Sequence, residues 1–209
     1  MILTGQAIAS RMQEGALAER LHITPLLPGQ FDVESASVDV HLGQDFLAFD
    51  RPRVPYIDPA PNLGNDQGPR PGGPLEVPPT RHHHVPWGDV FTLHPQAFAL
   101  AATLEYISLP LNLTAHVLGR STWARVGLVI AMATLVHPGY AGCLTLELQN
   151  LGSAPLVLRP GLRVAQLVLE DCTPLGSRPF GQITCAVQPE ARELLSPRDL
   201  ALLKAATPR

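Results

Sequence analysis

Apolar and polar positions alternate in several short runs along the chain, and most of these runs lie in its second half. In residues 37–49, Val38, Val40 and Leu42 fall on one face of an extended chain, with Asp39 and His41 on the other. This period of two predicts a half-buried strand. Between residues 90 and 170, apolar runs recur at intervals of roughly 8–12 residues, separated by Pro, Gly and Asn. Short strands with frequent turns favour a mainly β fold, a β-sandwich or jelly roll, over alternating β/α units.

Helical periodicity is confined to the two ends of the chain. Residues 4–20 repeat apolar side chains at helical spacing behind Thr4, a residue type that caps helices, so they predict one amphipathic helix that prolines 25 and 28 end. The apolar positions of this helix are Ile8, Met12 and Leu17. Residues 189–206 predict one or two short helices, because Ser196 and Pro197 match a cap and a first helical position.

Proline dominates the segment between the first strand and the later apolar runs. Residues 51–95 contain 11 of the 22 prolines, so they predict neither a helix nor a central strand. We expect a long surface excursion with a short β element near residues 56–58. The predicted organisation is a β domain over residues 1–180, with the excursion at 51–89, followed by a tail of short helices over 181–209.

Three consecutive histidines, His82, His83 and His84, lie inside this excursion. Imidazoles are common zinc ligands, so a metal site is one interpretation. Three neighbouring side chains in an extended loop do not converge on one ion, which favours a polar loop as the second interpretation.

Composition narrows the classes of function. The formal net charge is −3 and no basic run occurs, which argues against a duplex-binding surface. Lys204 is the one lysine, so no Walker-type phosphate loop is present and phosphate recognition must use Arg, hydroxyls and backbone N–H groups. The three cysteines are irregularly spaced, and we see neither a signal peptide nor an apolar run long enough to span a membrane. These features predict a soluble cytoplasmic protein. Neither nucleic acid nor a membrane is expected as a partner.

The most informative stretch for chemistry is residues 119–125, GRSTWAR. Arg120 and Arg125 supply two guanidinium groups, and Ser121 and Thr122 supply two hydroxyls beside a glycine turn. This combination suits an anion cradle. A solvated turn after a strand remains the other interpretation.

Three further polar positions stand out within the apolar runs. Glu147 lies opposite the apolar face of residues 144–148, either as a solvent-facing carboxylate or as a functional one. His137 begins the turn HPGYAG, where a histidine is either a ligand contact or simply solvated. Gln166 interrupts an apolar strand, and a buried amide needs backbone or ligand partners.

The order and spacing of these features carry more information than each alone. Four motifs follow one another along the chain: GRSTxARxGL, a PGYxG turn, LTLELxN and LRPGxRxAQL. This series resembles the dCTP deaminase and dUTPase superfamily. The opening MILTGQAI and the segment ASVDVHLG resemble the dCTP deaminase branch. The resemblance covers residues 1–50 and 90–180.

The resemblance implies a homotrimer of distorted jelly rolls whose active sites are shared between subunits. It implies deamination of dCTP to dUTP and ammonia, in pyrimidine deoxynucleotide metabolism. Family deaminases use no catalytic zinc, and Mg²⁺ accompanies the triphosphate. A carboxylate near neutral pKa can take the proton of the attacking water and return it to the base, as general acid–base catalysis requires.

The same resemblance implies roles for individual residues. Glu147 matches the glutamate that activates water for attack on C4 of cytosine, and Arg125 matches the arginine beside it. Arg120, Ser121 and Thr122 match the phosphate-binding run, and Thr145 and Leu146 lie on the strand that lines the base pocket. The remaining nucleotide-binding candidates are His137, Tyr140, Gln166 and Phe180.

Two other functions are alternatives, and departures from the family pattern bear on each. His137 stands where the family usually has Asp, and an imidazole does not replace a carboxylate acceptor, which disfavours a dUTPase or a bifunctional deaminase–diphosphatase. The Lys- and Tyr-rich lid that family deaminases usually have is absent, which favours a non-catalytic trimeric nucleotide-binding relative, whereas Glu147 and Arg125 favour the enzyme. A zinc deaminase is excluded because the chain has neither H-x-E nor P-C-x-x-C, and a G-x-S-x-G hydrolase elbow is also missing.

Overall fold

A computed structural model describes residues 1–49, 57–58, 60, 79–130, 135–174, 186–189 and 197–206. Residues 1–47 and 82–190 form one compact unit, and residues 48–81 and 191–209 form a second. The second unit contains α3 (Pro197–Ala206), which begins at the proline that the sequence indicates. Within the described ranges, no helix is long and apolar enough to cross a bilayer.

The first unit is built on one curled sheet of nine strands. The strands are β1 (His22–Thr24), β2 (Val38–Phe49), β3 (Thr80–His84), β5 (Phe98–Ser108), β6 (Leu113–Gly119), β7 (Leu128–Ile130), β8 (Leu135–Val136), β9 (Ala141–Asn150) and β11 (Arg163–Asp171). Their order is β7–β9–β5–β2–β11–β6–β8, with β1 beside β5 and β3 beside β2. A separate pair joins β4 (Phe91–Leu93) to β10 (Leu156–Leu158).

The apolar runs of the sequence coincide with these strands, so the prediction of a mainly β fold is confirmed. In β2, Val38, Val40 and Leu42 are fully buried, as the alternation indicates. Leu146 and Leu148 of β9 are buried on the same principle, and burial of each such side chain contributes about 1.5–3 kcal/mol. The core therefore lies on the inner face of the curled sheet, and the alternate side chains face outward.

The N-terminal helix is shorter than the sequence predicts. α1 spans Gly5–Gln13, and the Thr4 hydroxyl caps it by accepting from the Ala7 N–H at 3.4 Å. Gly15 then adopts a φ of 87°, a left-handed conformation that ends the helix well before the prolines. Leu17 lies in a separate 3₁₀ turn and is 70% exposed, so the prediction of one helix through residue 20 is wrong.

Two predictions about histidines are also corrected. His41 was expected on the polar face of β2, but it is buried because the carboxylate of Glu105 meets its ring and backbone. The histidine triplet forms β3 instead of a loop, and His82 and His84 each place a ring nitrogen 3.0 Å from Asp45 Oδ1. Among the residues described, no group of three His, Cys, Asp or Glu side chains is arranged to hold a metal ion.

Helix α1 packs against the segment between β1 and β2 at very short range. The Gly5 N–H donates to the Ser35 carbonyl at 2.6 Å, and the Gln6 N–H donates to the Val33 carbonyl at 3.2 Å. These bonds occupy two N–H groups of the first helical turn, which have no partner within a helix. A Cβ atom on Gly5 would lie 1.9 Å from the Asp32 carbonyl oxygen, so only glycine fits here.

We therefore expect Gly5→Ala to destabilise the protein by about 1–3 kcal/mol, because the added methyl group must displace the backbone near Asp32. Helix propensity alone predicts the opposite sign, since alanine is favoured over glycine by about 1 kcal/mol. Denaturant unfolding measures the change, and Gln6→Ala at the neighbouring exposed position serves as the control. A Gly5→Ala protein as stable as the native one would contradict the close approach.

Candidate active site

The turn that follows β6 is held firmly against β11. β6 ends at Gly119, and a single helical turn, α2 (Ser121–Ala124), begins after Arg120. The Arg120 N–H donates to the Val164 carbonyl at 3.1 Å, and the indole Nε1 of Trp123 donates to the Arg163 carbonyl at 2.8 Å. These two bonds fix the path of the backbone through the predicted anion cradle.

The side chain of Arg120 points towards β2, where it meets Asp39. Its Nη1 forms an ion pair with Asp39 Oδ1, and Arg163 Nη1 lies 3.3 Å from the other carboxylate oxygen. Asp39 is 14% exposed and Arg163 is 53% exposed, so the shared carboxylate is the more enclosed partner. A carboxylate between two guanidinium groups holds both donors in place.

An open cleft of about 550 Å³ lies over this ion pair. Arg120, Asp39 and Gln166 line it, together with Ser37, whose hydroxyl donates to Gln166 Oε1 at 3.4 Å. Residues of the segment 29–35 complete the lining. This volume falls in the range of small-molecule sites, about 300–1,000 Å³.

The polar groups of the cleft suit a phosphate-type anion with a bound metal cation. The Arg120 guanidinium and the amide of Gln166 can donate to phosphate oxygens. The carboxylates of Asp32 and Asp39 supply oxygen atoms, which are the ligands that magnesium prefers.

The predicted catalytic strand lies elsewhere in the sheet. Along β9, Leu144, Leu146 and Leu148 are buried, Thr145 is exposed and Glu147 is half-buried, as the alternation predicts. Glu147 does not line the cleft. β9 and β11 are separated by β5 and β2, so three strand spacings, about 14 Å along the sheet, lie between them.

The turn before β9 is the third part of the candidate site. His137 is exposed, and the Tyr140 N–H donates to its carbonyl at 3.2 Å. The Tyr140 hydroxyl donates to the Cys143 carbonyl at 2.7 Å, which ties the turn to the first residues of β9. Tyr140 is half-buried and packs against the core, so its ring supports the turn.

The strand register places Arg125 and Glu147 at different positions along β9. The Arg125 side chain is exposed at the end of α2. Leu128, three residues after Arg125, pairs with Asn150, three residues after Glu147. The ladder therefore ends about 10 Å along β9 from Glu147, and Arg125 precedes its first residue on β7 by three positions.

The chain thus divides the sequence-predicted residues into separate groups. Arg120 and Gln166 meet in the cleft, and Ser121, Thr122 and Arg125 are exposed on or beside α2. Thr145, Leu146 and Glu147 lie on β9, with His137 and Tyr140 in the turn before it. Phe180 lies outside the described residues.

Sequence reasoning missed most of the polar residues that line the cleft. Asp39 was assigned only to the outer face of a strand, and no role was given to Gln30, Asp32, Ser35 or Ser37. Arg163, the second partner of Asp39, also received none. The signal for Ser37, Asp39 and Arg163 lies in the segments ASVDVHLG and LRPGLRVAQL, because Asp39 and Gln166 are direct partners across the β2–β11 ladder. A long-range pairing of this kind cannot be read from local alternation.

The cysteine of β9, Cys143, has low reactivity. Burial raises the pKa of the Cys143 thiol, and the nearby carboxylates of Glu105 and Asp45 raise it further. A thiol with a raised pKa holds less thiolate at neutral pH, so Cys143 is a poor nucleophile.

Comparison with known proteins identifies relatives over most of the chain. The model of a family described as dCTP deaminase-like matches residues 2–172. A dCTP deaminase of Natronomonas pharaonis is 40% identical over 182 residues, covering 87% of this chain and 86% of that protein. A protein of Halobacterium salinarum named dCTP deaminase, dUMP-forming, is 41% identical with the same coverage of both chains.

A solved structure supports the fold. The crystal structure of 2′-deoxycytidine 5′-triphosphate deaminase from Agrobacterium tumefaciens matches 80% of this chain with a TM-score of 0.54 and 19% identity. This chain spans 47% of the length of that one, and the likeness concerns the fold alone. The family match and the identity to full-length relatives together show that the chain belongs to the dCTP deaminase-like family.

Proposed function

We propose that this protein deaminates dCTP to dUTP and ammonia. The observation that carries the proposal is Glu147, a half-buried carboxylate on the outward face of β9, in a chain of the dCTP deaminase-like family. Relatives named dCTP deaminase match it over 87% of its length. A water molecule attacks C4 of cytosine, the C4–N bond to the exocyclic amine breaks, and ammonia leaves.

In the proposed mechanism, Glu147 moves the protons. Its carboxylate takes one proton from the attacking water and gives it to N3. It then takes the remaining proton from the new C4 hydroxyl and delivers it to the amine, so that the C4–N bond breaks, the C4 carbonyl forms and ammonia leaves. Arg125 stands beside the reacting carbon and stabilises the charge that develops there. The backbone at Thr145 and Leu146 lines the base pocket, and the turn at His137 and Tyr140 contacts the sugar.

The triphosphate is proposed to bind in the cleft and on α2. Arg120, Ser121, Thr122 and Gln166 supply donors for its oxygens, and Phe180 is proposed as a further nucleotide-binding residue. Magnesium enters with the triphosphate, and no catalytic zinc takes part. The oxygen-rich lining of the cleft supports this proposal because magnesium prefers oxygen ligands. We propose that the protein is cytoplasmic, because free nucleotides and magnesium are present in the cytoplasm.

The complete site is proposed to form between subunits of a homotrimer. Arg125 and Glu147 must act on one carbon, yet the β7–β9 register of one chain carries Arg125 past the end of the ladder, away from Glu147. Apolar side chains around α2 and nearby strand ends are also exposed, as is typical of a surface that another subunit covers. They are Leu118, Val126, Leu135 and Leu151.

A second function, formation of dUMP, is favoured by one finding. The Halobacterium salinarum relative and one from Methanobrevibacter smithii, 37% identical, are both named dUMP-forming. That reaction releases pyrophosphate in addition to ammonia. His137 weighs against it, because the imidazole does not supply the carboxylate that orients the hydrolytic water.

We predict that Glu147→Gln abolishes deamination while the affinity for dCTP stays within about tenfold, roughly 1.4 kcal/mol. Glutamine keeps the size and the hydrogen-bonding capacity of the side chain but cannot take a proton from water. The loss must then appear in turnover and not in affinity. Release of ammonia and of pyrophosphate, measured separately, reports on both candidate functions, and calorimetry reports the affinity.

Glu170 is an outward-facing carboxylate of β11, so Glu170→Gln is the matched control. It is expected to keep native turnover. Glu147 is not the base if its variant retains more than about a tenth of native activity. A native protein that binds dCTP without releasing ammonia is instead a non-catalytic relative.

The same assay tests the cofactor proposal. Turnover is expected to persist when zinc is chelated and to fall when magnesium is withheld. Turnover that depends on zinc would overturn the proposal.

The trimer makes a separate prediction about mass. Light scattering at micromolar concentration is expected to give a particle of three chains of 22.5 kDa. Burial of the apolar surface around α2 supplies the driving force. A monomer under these conditions would refute both the assembly and the shared site.

A further inference from the structure

A fully buried carboxylate lies beneath the cleft, and the proposed mechanism does not use it. Glu105 of β5 is 0% exposed, yet each of its carboxylate oxygens has a donor. Oε2 accepts from the His41 backbone N–H at 3.0 Å, and Oε1 lies 2.5 Å from His41 Nδ1. Oε1 also accepts from the Gln30 amide at 3.0 Å. A buried carboxylate is expensive unless such donors hold it, so its position and theirs are fixed together.

One arm of this network reaches the cleft. The Gln30 amide donates both to Glu105 and, at 2.7 Å, to the carbonyl of Asp39. Its own oxygen accepts from the Leu27 N–H at 2.7 Å. Gln30 therefore joins the cleft-lining segment 29–35 to Asp39, the residue that holds Arg120.

The other arm reaches the strand that carries Glu147. The ladder between β5 and β9 is interrupted by a bulge, in which residues 103–105 oppose the single residue Leu144. Inside the bulge, the Thr103 hydroxyl donates to the main-chain carbonyl of Glu105 at 2.8 Å and accepts from the Leu144 N–H at 2.8 Å. The hydroxyl thus replaces a ladder bond just before Thr145, Leu146 and Glu147.

We propose that Glu105 is a positioning residue that fixes the phosphate cleft and the catalytic strand relative to each other. The inference rests on the proposed function, because it assigns the cleft to the triphosphate and β9 to the base. The Glu105 carboxylate acts through Gln30 on the cleft, and the main-chain carbonyl of the same residue acts through Thr103 on β9. Small displacements of a reacting group are costly, so each arm controls a different kinetic constant.

Two substitutions that keep side-chain size separate the arms. Gln30→Leu releases the cleft segment and is expected to raise KM for dCTP about tenfold while kcat stays within about threefold. Thr103→Val keeps the shape of the side chain but removes both hydroxyl bonds. It is expected to lower kcat about tenfold while KM stays within about threefold. Glu105→Gln, which presents an amide N–H₂ to donors on one side, is expected to raise KM as Gln30→Leu does, because it leaves the main-chain carbonyl that bonds to Thr103 in place.

Two controls distinguish positioning from stability. Thr103→Ser restores the hydroxyl and is expected to restore kcat. Leu113→Ala removes a fully buried side chain at the opposite end of β6 from Arg120, and it is expected to lower Tm with unchanged kinetics. All variants are assayed well below their own Tm.

The inference is overturned if Gln30→Leu and Thr103→Val lower only Tm, as Leu113→Ala does, or if both variants change kcat and KM alike. A native protein without turnover would refute the proposed function instead. In that case, dCTP affinity decides the inference by calorimetry: a roughly tenfold loss in Gln30→Leu but not in Leu113→Ala supports it, and equal affinities overturn it.

Discussion

The antiparallel ladder between β7 and β9 pairs Leu128 with Asn150, and this register carries α2 away from Glu147. Strand pairing is not adjustable here, because a shift of one residue would turn Leu146 and Leu148 out of the core. The two residues proposed to act on one carbon are therefore held apart by the same register that builds the core. A site shared between neighbouring subunits reconciles this constraint with the chemistry.

The cleft depends on polar groups that the fold has buried or partly buried. Asp39 lies between two guanidinium groups, and the segment opposite it is tied to the buried carboxylate of Glu105 through Gln30. The close approach of Gly5 presses the same segment against α1. Removing one partner of such a network leaves a buried group unsatisfied, which costs more than the bond itself contributes. The geometry of the cleft is thus maintained by the core beneath it.

Much of the fold can be predicted from the local sequence. What cannot be predicted depends on contacts between residues that are far apart in the sequence. Alternation located the strands and the outward face of Glu147, and Thr4 was identified as a cap. Alternation does not reveal which outward face is later covered, so His41 was assigned to solvent although Glu105, 64 residues away in sequence, encloses it. The histidines of β3 were assigned to a loop because their partner Asp45 lies on another strand. Asp39 was missed because its role depends on Arg120, 81 residues away in sequence.

Complementation between inactive variants tests the shared site most directly. Arg125→Gln and Glu147→Gln chains are co-expressed in equal amounts, and the mixed oligomers are assayed against each variant alone. If each site takes its arginine from one subunit and its glutamate from the next, about one quarter of randomly formed sites contain both native residues. A shared site then gives recovery of about one quarter of native deamination activity. No recovery above the separate variants would show that each chain builds its own site and that the shared site is wrong.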